Sequence, residues 1–158
     1  MYLLKNLIQL PIKFNILQQG YNLYYSNKQN QYVIYIAQNS IELQYVNSLS
    51  IGYISYSIDN ISSELTIQFL QSNLTGIGIG YYLILIISYI AIKNKIKKIL
   101  LDDFSDFAHQ NSIYEKIGCN YVGENPEPEM ECEPTKIYKK FPLFKKKYLL
   151  NNKFLILS

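Results

Sequence analysis

The segment NLTGIGIGYYLILIISYIAI, residues 73–92, places three glycines at alternate positions directly before an uninterrupted apolar run. Glycines spaced in this way predict a tight loop, because glycine reaches backbone conformations that other residues avoid. The apolar run from Ile77 to Ile92 is shorter than the roughly 20 residues that a membrane-spanning helix needs. We therefore expect a buried helix over about residues 81–94, with a membrane span as the alternative.

The segments upstream of the glycines predict strands. Apolar residues that alternate or cluster favour strands over residues 31–37, 41–46, 49–58 and 64–70. In the last of these, period two puts Leu65, Ile67 and Phe69 on one face of the strand. The first 30 residues are ambiguous and are compatible with helices or a strand.

The segments downstream predict a second alternation of strands and helices. We expect a buried strand over 95–103, a short helix over 109–118, a strand over 119–123, a loop over 124–134 and a last strand over 135–141. The order strand, glycine loop, helix, strand indicates a βαβ crossover inside a mixed sheet. The prediction is one α+β domain over residues 1–141, followed by a basic and then apolar tail over 142–158.

Composition narrows the class of protein further. A chain of 158 residues is the size of one domain, and 49% hydrophobic with 17% charged residues excludes a disordered chain. The net charge of +3 is too small to indicate nucleic acid. Cys119 and Cys132 form no CxxC pair, so we expect neither a metal site nor a disulfide scaffold, but free thiols in a reducing compartment. The N-terminus does not resemble a signal peptide, and a cytoplasmic location is expected.

Two familiar phosphate-binding loops do not fit the glycine segment. The dinucleotide fingerprint GxGxxG needs a third glycine, which neither Tyr81 nor Leu83 supplies, and the Walker loop needs a Gly-Lys-Ser/Thr sequence. What remains is TGIGIG, residues 75–80, between a strand and a helix.

This pattern resembles the pyrophosphate loop of the GNAT superfamily of N-acetyltransferases, which reads Arg/Gln-x-x-Gly-x-Gly/Ala. Thr75 replaces the Arg or Gln. A second element of the family, Leu-Tyr-Glu-Lys-x-Gly-Phe, is similar to IYEKIGC at 113–119, where Cys119 replaces the Phe. The stretches LLDDFSDF, NSIYEKIGCNYV and PEPEM also look like acetyltransferase-like proteins of large DNA viruses, which would place the chain in a host cytoplasm. The resemblance covers about residues 49–131.

The resemblance implies a GNAT-like fold, with a mixed, mostly antiparallel sheet between helices, and acetyl-CoA as the cofactor. Its pyrophosphate would lie on Thr75, Gly76, Ile77, Gly78, Ile79 and Gly80, where backbone N–H groups and a helix N-terminus attract an anion. Phe69 and Leu70 would offer backbone contacts near the thioester, and Asn111 is a further expected cofactor contact.

The same resemblance suggests how an amine would be acetylated. Glu64 is the expected base that removes a proton from the amine, often through water, and Tyr114 the expected acid that protonates the leaving thiolate. Asp102, Asp103 and Asp106 follow a strand end, where ligands of α/β sheets bind, and would hold a cationic acceptor. A homodimer is compatible with the exposed edges of such a sheet, and nucleic acid is not an expected partner.

Other interpretations stay open at this point. The glycine loop could be only a turn, and the protein a non-catalytic member of the fold that binds acyl-CoA or another protein. Glu64 could be an ordinary surface residue, Tyr114 a core aromatic, and one of the aspartates a helix cap. A nucleophilic pair of Cys119 and His109, the chain's one histidine, is conceivable, although packing explains a single cysteine at this position more simply.

Overall fold

The computed structural model describes residues 2–3, 12–14, 20–29, 31–73, 78–140 and 155–157. Within these residues the strands are β1 (Tyr2–Leu3), β2 (Ile12–Phe14), β3 (Asn22–Lys28), β4 (Gln31–Ala37), β5 (Gly52–Asp59), β6 (Glu64–Ser72), β7 (Lys98–Asp102), β8 (Asn120–Tyr121), β9 (Glu129–Cys132) and β10 (Leu155–Leu157). The helices are α1 (Val46–Leu49), α2 (Ile79–Lys93), α3 (Ile113–Lys116) and α4 (Pro134–Lys139), with a 3-10 turn at Leu43–Tyr45. In this described part of the chain, no helix is both long and apolar enough to cross a membrane.

Eight strands form one sheet in the order β1-β3-β4-β5-β6-β7-β9-β8. Among the described pairs, β6 with β7 is parallel and the other neighbours are antiparallel. Helix α2 connects β6 to β7, which confirms the predicted βαβ crossover and the α+β fold class. Strands β2 and β10 form a separate antiparallel pair, so part of the predicted tail is paired with the N-terminal region.

One face of the sheet carries the main core. Helix α2 buries residues all round its circumference, as expected for a helix without a polar stripe, and it packs on β5, β6 and α4. Gly52 on β5 allows the closest approach: a Cβ there would clash with Ile79 and lie 3.1 Å from the carbonyl oxygen of Gln71. The apolar run is therefore a core helix, as the sequence predicts.

Strand β6 contains an irregularity that the sequence pattern does not reveal. Ile67 pairs with Tyr56 and Phe69 pairs with Ser55, so Gln68 is an extra residue without a partner on β5. The extra residue reverses the alternation of side chains beyond it. Leu65 and Ile67 lie in the core, but Phe69 points to the opposite face and is 65% exposed. The prediction that Phe69 shares a face with Leu65 and Ile67 is therefore wrong.

The opposite face is covered only in part. Tyr35, Ala37 and Val46 form a second, small core beneath the segment from Ile41 to Ser50. The Tyr35 hydroxyl accepts a hydrogen bond of 2.8 Å from the Ile41 backbone N–H. This segment is a 3-10 turn followed by α1, so the strand predicted over 41–46 is wrong. Among the described residues, nothing else covers this face of β5, β6 and β7, which is called the open face below.

Two further segments differ from the sequence prediction. The strand predicted over 135–141 is wrong for the residues that the structure describes, 135–140: α4 begins at Pro134, whose fixed φ suits the first turn of a helix. The expected loop at 124–134 contains β9, which pairs with both β7 and β8. Helix α3 is shorter than predicted because Ser112 and Glu115 form a capping box that starts it at Ile113.

Cys119 and Cys132 form a disulfide, which contradicts the expectation of free thiols. The antiparallel pairing of Asn120 with Glu131 brings the flanking residues Cys119 and Cys132 opposite one another, with their Cα atoms 4.4 Å apart. Both half-cystines are buried, each 3% exposed. The bond also excludes the Cys119–His109 nucleophilic pair.

Candidate active site

Strands β6 and β7 separate after a short parallel contact. Their register covers three pairs, Glu64 with Lys98, Leu65 with Ile99, and Thr66 with Leu100. From Ile67 to Ser72, β6 continues to pair with β5 but has no register partner on the β7 side among the described residues. A wedge therefore opens between the two strands, and Phe69 and Leu70 lie along it.

Helix α2 begins at Ile79, within the glycine segment that follows β6. Gly78 precedes it with a φ of 82°, a left-handed conformation that glycine adopts without strain. The helix has no side-chain cap and no acidic residue in its first turn, so the positive end of its dipole is not neutralised by the described residues. A Cβ on Gly80 would meet nothing within 4 Å. This helix end fits an anion such as a pyrophosphate.

An open cleft of about 540 Å³ lies on the open face of the sheet. Its lining comes from four neighbouring strands and the loop after β7: Gln31, Ser55, Thr66, Ile67, Gln68, Phe69, Asp102 and Phe104. Phe69 and Phe104 are 65% and 81% exposed, which is unusual for large apolar side chains that line a concave surface. The cleft lies beside the wedge, because Ile67 and Phe69 belong to both.

The open face is acidic. Residues that pair across neighbouring strands point to the same side of a sheet. The residues paired with Thr66, and every second residue from them along each strand, therefore lie on the open face. On β5, β6, β7 and β9 its acids are Asp59, Glu64, Asp102, Glu129 and Glu131. Lys98 is the one base on these four strands of the face, and its Nζ is 3.3 Å from Glu131. The charges favour a cationic ligand.

The environment of Asp103 differs from that of the neighbouring Asp102, which is exposed. Asp103 is 1% exposed, and its carboxylate accepts hydrogen bonds from the Tyr121 hydroxyl at 2.6 Å and the Ser105 backbone N–H at 3.0 Å. Burial alone would raise the pKa of Asp103, but these hydrogen bonds and those from the Ser105 and Ser112 hydroxyls leave it lowered. Asp103 therefore holds the loop after β7 through hydrogen bonds within the chain.

The two residues predicted to transfer protons lie at different ends of β6 and β7. Tyr114 on α3 is mostly buried, and burial followed by the charge of Asp103 raises its pKa to about 12. It thus lies close to the C-terminal end of β7, on the side where the wedge opens. Glu64 is half-buried at the start of β6 and faces the same side as Thr66. Five residues separate it from Phe69, roughly 16 Å of extended chain.

The remaining expected residues are scattered. Asp102 lines the cleft, whereas Asp106 is exposed in the following turn and Asn111 is exposed just before α3, both outside the lining. Thr75, Gly76 and Ile77 lie outside the described residues. Among those described, no group of three or more His, Cys, Asp or Glu side chains is placed to hold a metal ion.

Six lining residues are absent from the predicted site, namely Gln31, Ser55, Thr66, Ile67, Gln68 and Phe104. Ser55 is 9% exposed, and its Oγ has no hydrogen-bond partner in the described structure. Gln31 and Ser55 reach the cleft only through the register of β4, β5 and β6, so no local signal could have selected them. Phe104 could have been noticed as an apolar residue among the aspartates.

No protein-family model and no curated protein matches the sequence. Solved structures do match. The PaiA N-acetyltransferase of Thermoplasma acidophilum, in complex with coenzyme A, is 20% identical with a TM-score of 0.50, over 66% of this chain and 61% of that protein. The chain thus spans less than two thirds of its length. Mutant forms of the spermidine/spermine N-acetyltransferase SpeG of Vibrio cholerae are 16% identical with a TM-score of 0.51, over 72% and 73%.

A third match is the KacTA–DNA complex, at 12% identity and a TM-score of 0.54, over 73% of this chain and 76% of that one. At such identities the similarity concerns the arrangement of the chain and not its chemistry. The chain therefore has the fold of the GNAT-type N-acetyltransferases.

Proposed function

We propose that this protein is an acetyl-CoA-dependent N-acetyltransferase that acts on a primary amine. The observation that carries the proposal is the wedge between β6 and β7, which opens directly before the uncapped N-terminus of α2. An extended chain ending in a pyrophosphate requires both features, a strand edge with backbone groups to pair with and a positive helix end to bind the anion. A solved structure with the same fold, in complex with coenzyme A, supports this choice of cofactor.

The residues that would hold acetyl-CoA follow from this arrangement. Gly78, Ile79 and Gly80 would present backbone N–H groups to the pyrophosphate, with Thr75, Gly76 and Ile77 completing the loop. Phe69 and Leu70 would pair through their backbone along the wedge, and Asn111 is a further proposed contact. When bound, acetyl-CoA would supply an acyl thioester that the amine attacks.

Two side chains would move protons. Tyr114, whose pKa of about 12 keeps it protonated near neutral pH, would donate to the departing thiolate. Glu64 is the proposed acceptor of the amine proton, and because roughly 16 Å of strand separates it from Phe69, the proton would have to pass along a chain of several waters. Replacing Tyr114 by Phe is expected to lower kcat by about 10²-fold, because general acid catalysis contributes at least this much.

The binding step can be tested with a charge placed at the helix end. Gly80→Asp fits the open space beside Gly80, and an acid there should stabilise α2. Because its carboxylate would repel a pyrophosphate, acetyl-CoA should raise the Tm of the wild type by a few degrees but not that of the variant. Gly80→Asn is the uncharged control and should keep a shift. Equal shifts in all three proteins would exclude a pyrophosphate site at α2.

Turnover separates an enzyme from a protein that only binds acyl-CoA. Release of the free CoA thiol would be followed with lysine peptides and aliphatic amines as acceptors. A non-catalytic protein is the second candidate, favoured by Thr75 and Cys119, which replace residues of the family motifs. It predicts an acetyl-CoA shift without thiol release for any of these amines.

The chain's kinship with proteins of large DNA viruses, its cytoplasmic location and a homodimer remain proposals from the sequence. The Cys119–Cys132 disulfide bears on the second of these, because such bonds are rare in reducing compartments. A thiol titration of protein isolated without reductant would test that proposal directly.

A further inference from the structure

We infer that the cleft on the open sheet face is the acceptor site, and that its substrate is a flexible aliphatic amine carrying a second positive charge. Phe69 and Phe104 would form its walls and Asp102 its anionic group. The inference rests on the proposed function only for the identification of the bound amine as an acceptor. The recognition itself is a property of the cleft and can be measured without acetyl-CoA.

The walls of the cleft are formed by exposed aromatic side chains. Phe69 and Phe104 come from different elements, β6 and the loop after β7, yet both line this cleft while staying largely exposed. The extra residue Gln68 is what turns Phe69 toward this face. Exposed aromatic faces attract ammonium groups and also pack on methylene chains. An aliphatic ammonium ion satisfies both properties of these side chains.

The charges around the cleft are mostly negative. Asp102 lines the cleft together with the two phenylalanines, and the surrounding face carries more carboxylates than bases, the bases being Lys98 and, on β3 beside Gln31, Lys28. Lys98 is itself paired with Glu131. A ligand with a single charge would neutralise only one acid. Glu64 and Asp102 lie on different strands of the open face. A ligand with two separated positive charges is therefore complementary to more of this acidic surface than a ligand with one.

Ser55 supplies an independent observation. It lines the cleft, is buried, and its hydroxyl has no hydrogen-bond partner within the described residues. Buried hydroxyl groups usually have one, so an unpaired one points to a partner that the chain alone does not provide. Ser55 is the cross-strand neighbour of Phe69, whose backbone would lie near the thioester. An amine N–H donated to Ser55 would therefore lie near the acyl group.

The cleft has the length that such a ligand needs. It extends from Gln31 on β4 to Asp102 at the end of β7, across three strand spacings or about 14 Å. An extended triamine such as spermidine comes closest to this length, whereas a short monoamine would leave one end of the cleft empty. The substrate class therefore follows from length, apolar walls and charge together.

The test is a calorimetric titration of the intact protein at low ionic strength, with and without saturating CoA. The probes have the same carbon chain and different charge: 1,4-diaminobutane, n-butylamine and 4-aminobutanoate, with spermidine as a longer amine. We expect 1,4-diaminobutane to bind about tenfold more tightly than n-butylamine, and 4-aminobutanoate to bind most weakly. A tenfold difference corresponds to about 1.4 kcal/mol.

The chain offers matched controls for both side-chain types. Phe104→Ala and Asp102→Asn should each weaken 1,4-diaminobutane binding about threefold or more. Phe107→Ala, in the same loop, and Glu124→Gln, in the turn before β9, change an aromatic residue and an acid at exposed positions outside the lining, and should leave binding unchanged. Equal losses in both sets, or no preference for the doubly charged amine, would overturn the inference.

Failure of the inference and failure of the proposed function are distinguishable. If the amines bind as expected while the wild type shows no acetyl-CoA shift, the cleft is correctly assigned and the proposed activity is wrong. If acetyl-CoA binds and singly charged amines are acetylated as readily as diamines, the activity stands and the inference fails. Absence of amine binding both with and without CoA also overturns it.

Discussion

Reduction of the Cys119–Cys132 disulfide should lower the stability of the protein by an amount that the loop length predicts. The two half-cystines are 13 residues apart. In the chain-entropy model, releasing a loop of this size gives the unfolded state about 3 kcal/mol at 25 °C. For a chain of this length, each kcal/mol lowers the Tm by about 2–4 °C, so reduction should lower it by roughly 6–12 °C.

The assay compares thermal unfolding of oxidised and reduced protein by circular dichroism, with urea titrations to obtain the free energy of unfolding. The double variant Cys119→Ala, Cys132→Ala is the control, because its Tm must not respond to reductant. Both sulfur atoms are buried, so this variant should itself be less stable than the oxidised wild type. Two titratable thiols in denatured, unreduced protein, or equal Tm values before and after reduction, would refute the reasoning.

Three further predictions concern single side chains. Ser55→Ala should raise the free energy of unfolding by about 1 kcal/mol in urea titrations, because it removes a buried hydroxyl without a partner, and a decrease would mean that the hydroxyl is paired. Ser57→Ala, on the same strand and face, is its control and should not be stabilising. Asp103→Asn should lose about 1–3 kcal/mol at neutral pH. Hydrogen bonds keep the pKa of Asp103 in the folded protein below the ordinary Asp pKa of about 4, despite its burial. The stabilisation by the Asp103 carboxylate is therefore complete above about pH 4, and it should vanish as the pH falls through the pKa of the folded state. A loss that persists in acid would contradict it. Tyr114, with a pKa raised to about 12 by burial and by Asp103, stabilises the fold fully below about pH 10 and loses this effect as the pH rises toward 12. Tyr114→Phe should therefore unfold less steeply above pH 10 in alkaline titrations, and an unchanged slope would show that the phenol does not ionise on unfolding.

The sequence predicted those parts of the fold that depend on local pattern. The apolar run gave α2, the alternation gave β4, β5 and most of β6, and the glycine spacing led to the correct crossover and fold class. These succeed because burial imposes a period on neighbouring residues. The expected end of α3 near Gly118 is likewise a local signal, and the glycine there has a φ of 102°.

The errors arise where distant residues decide the structure. The extra residue at Gln68 is defined only by pairing with β5, and it places Phe69 on a face that the alternation does not predict. Strand β9 has a composition typical of a loop and becomes a strand because β7 and β8 pair with its two edges. The disulfide follows from that same pairing. Half of the candidate cleft, including Ser55 and Phe104, is assembled in this way.

The parallel contact between β6 and β7 also determines when the candidate site can exist during folding. The hairpins β3–β4 and β5–β6 join strands that are close in sequence. The pairing of Glu64 with Lys98, in contrast, requires that the whole crossover segment between them first folds back onto the sheet. Contacts of long sequence separation form slowly, since the loop entropy is lost before the contact contributes. We therefore expect the two hairpins to form first and the wedge last. Ligand binding at the wedge would then report complete folding of the chain, and binding competence would recover later than β-structure in a refolding experiment.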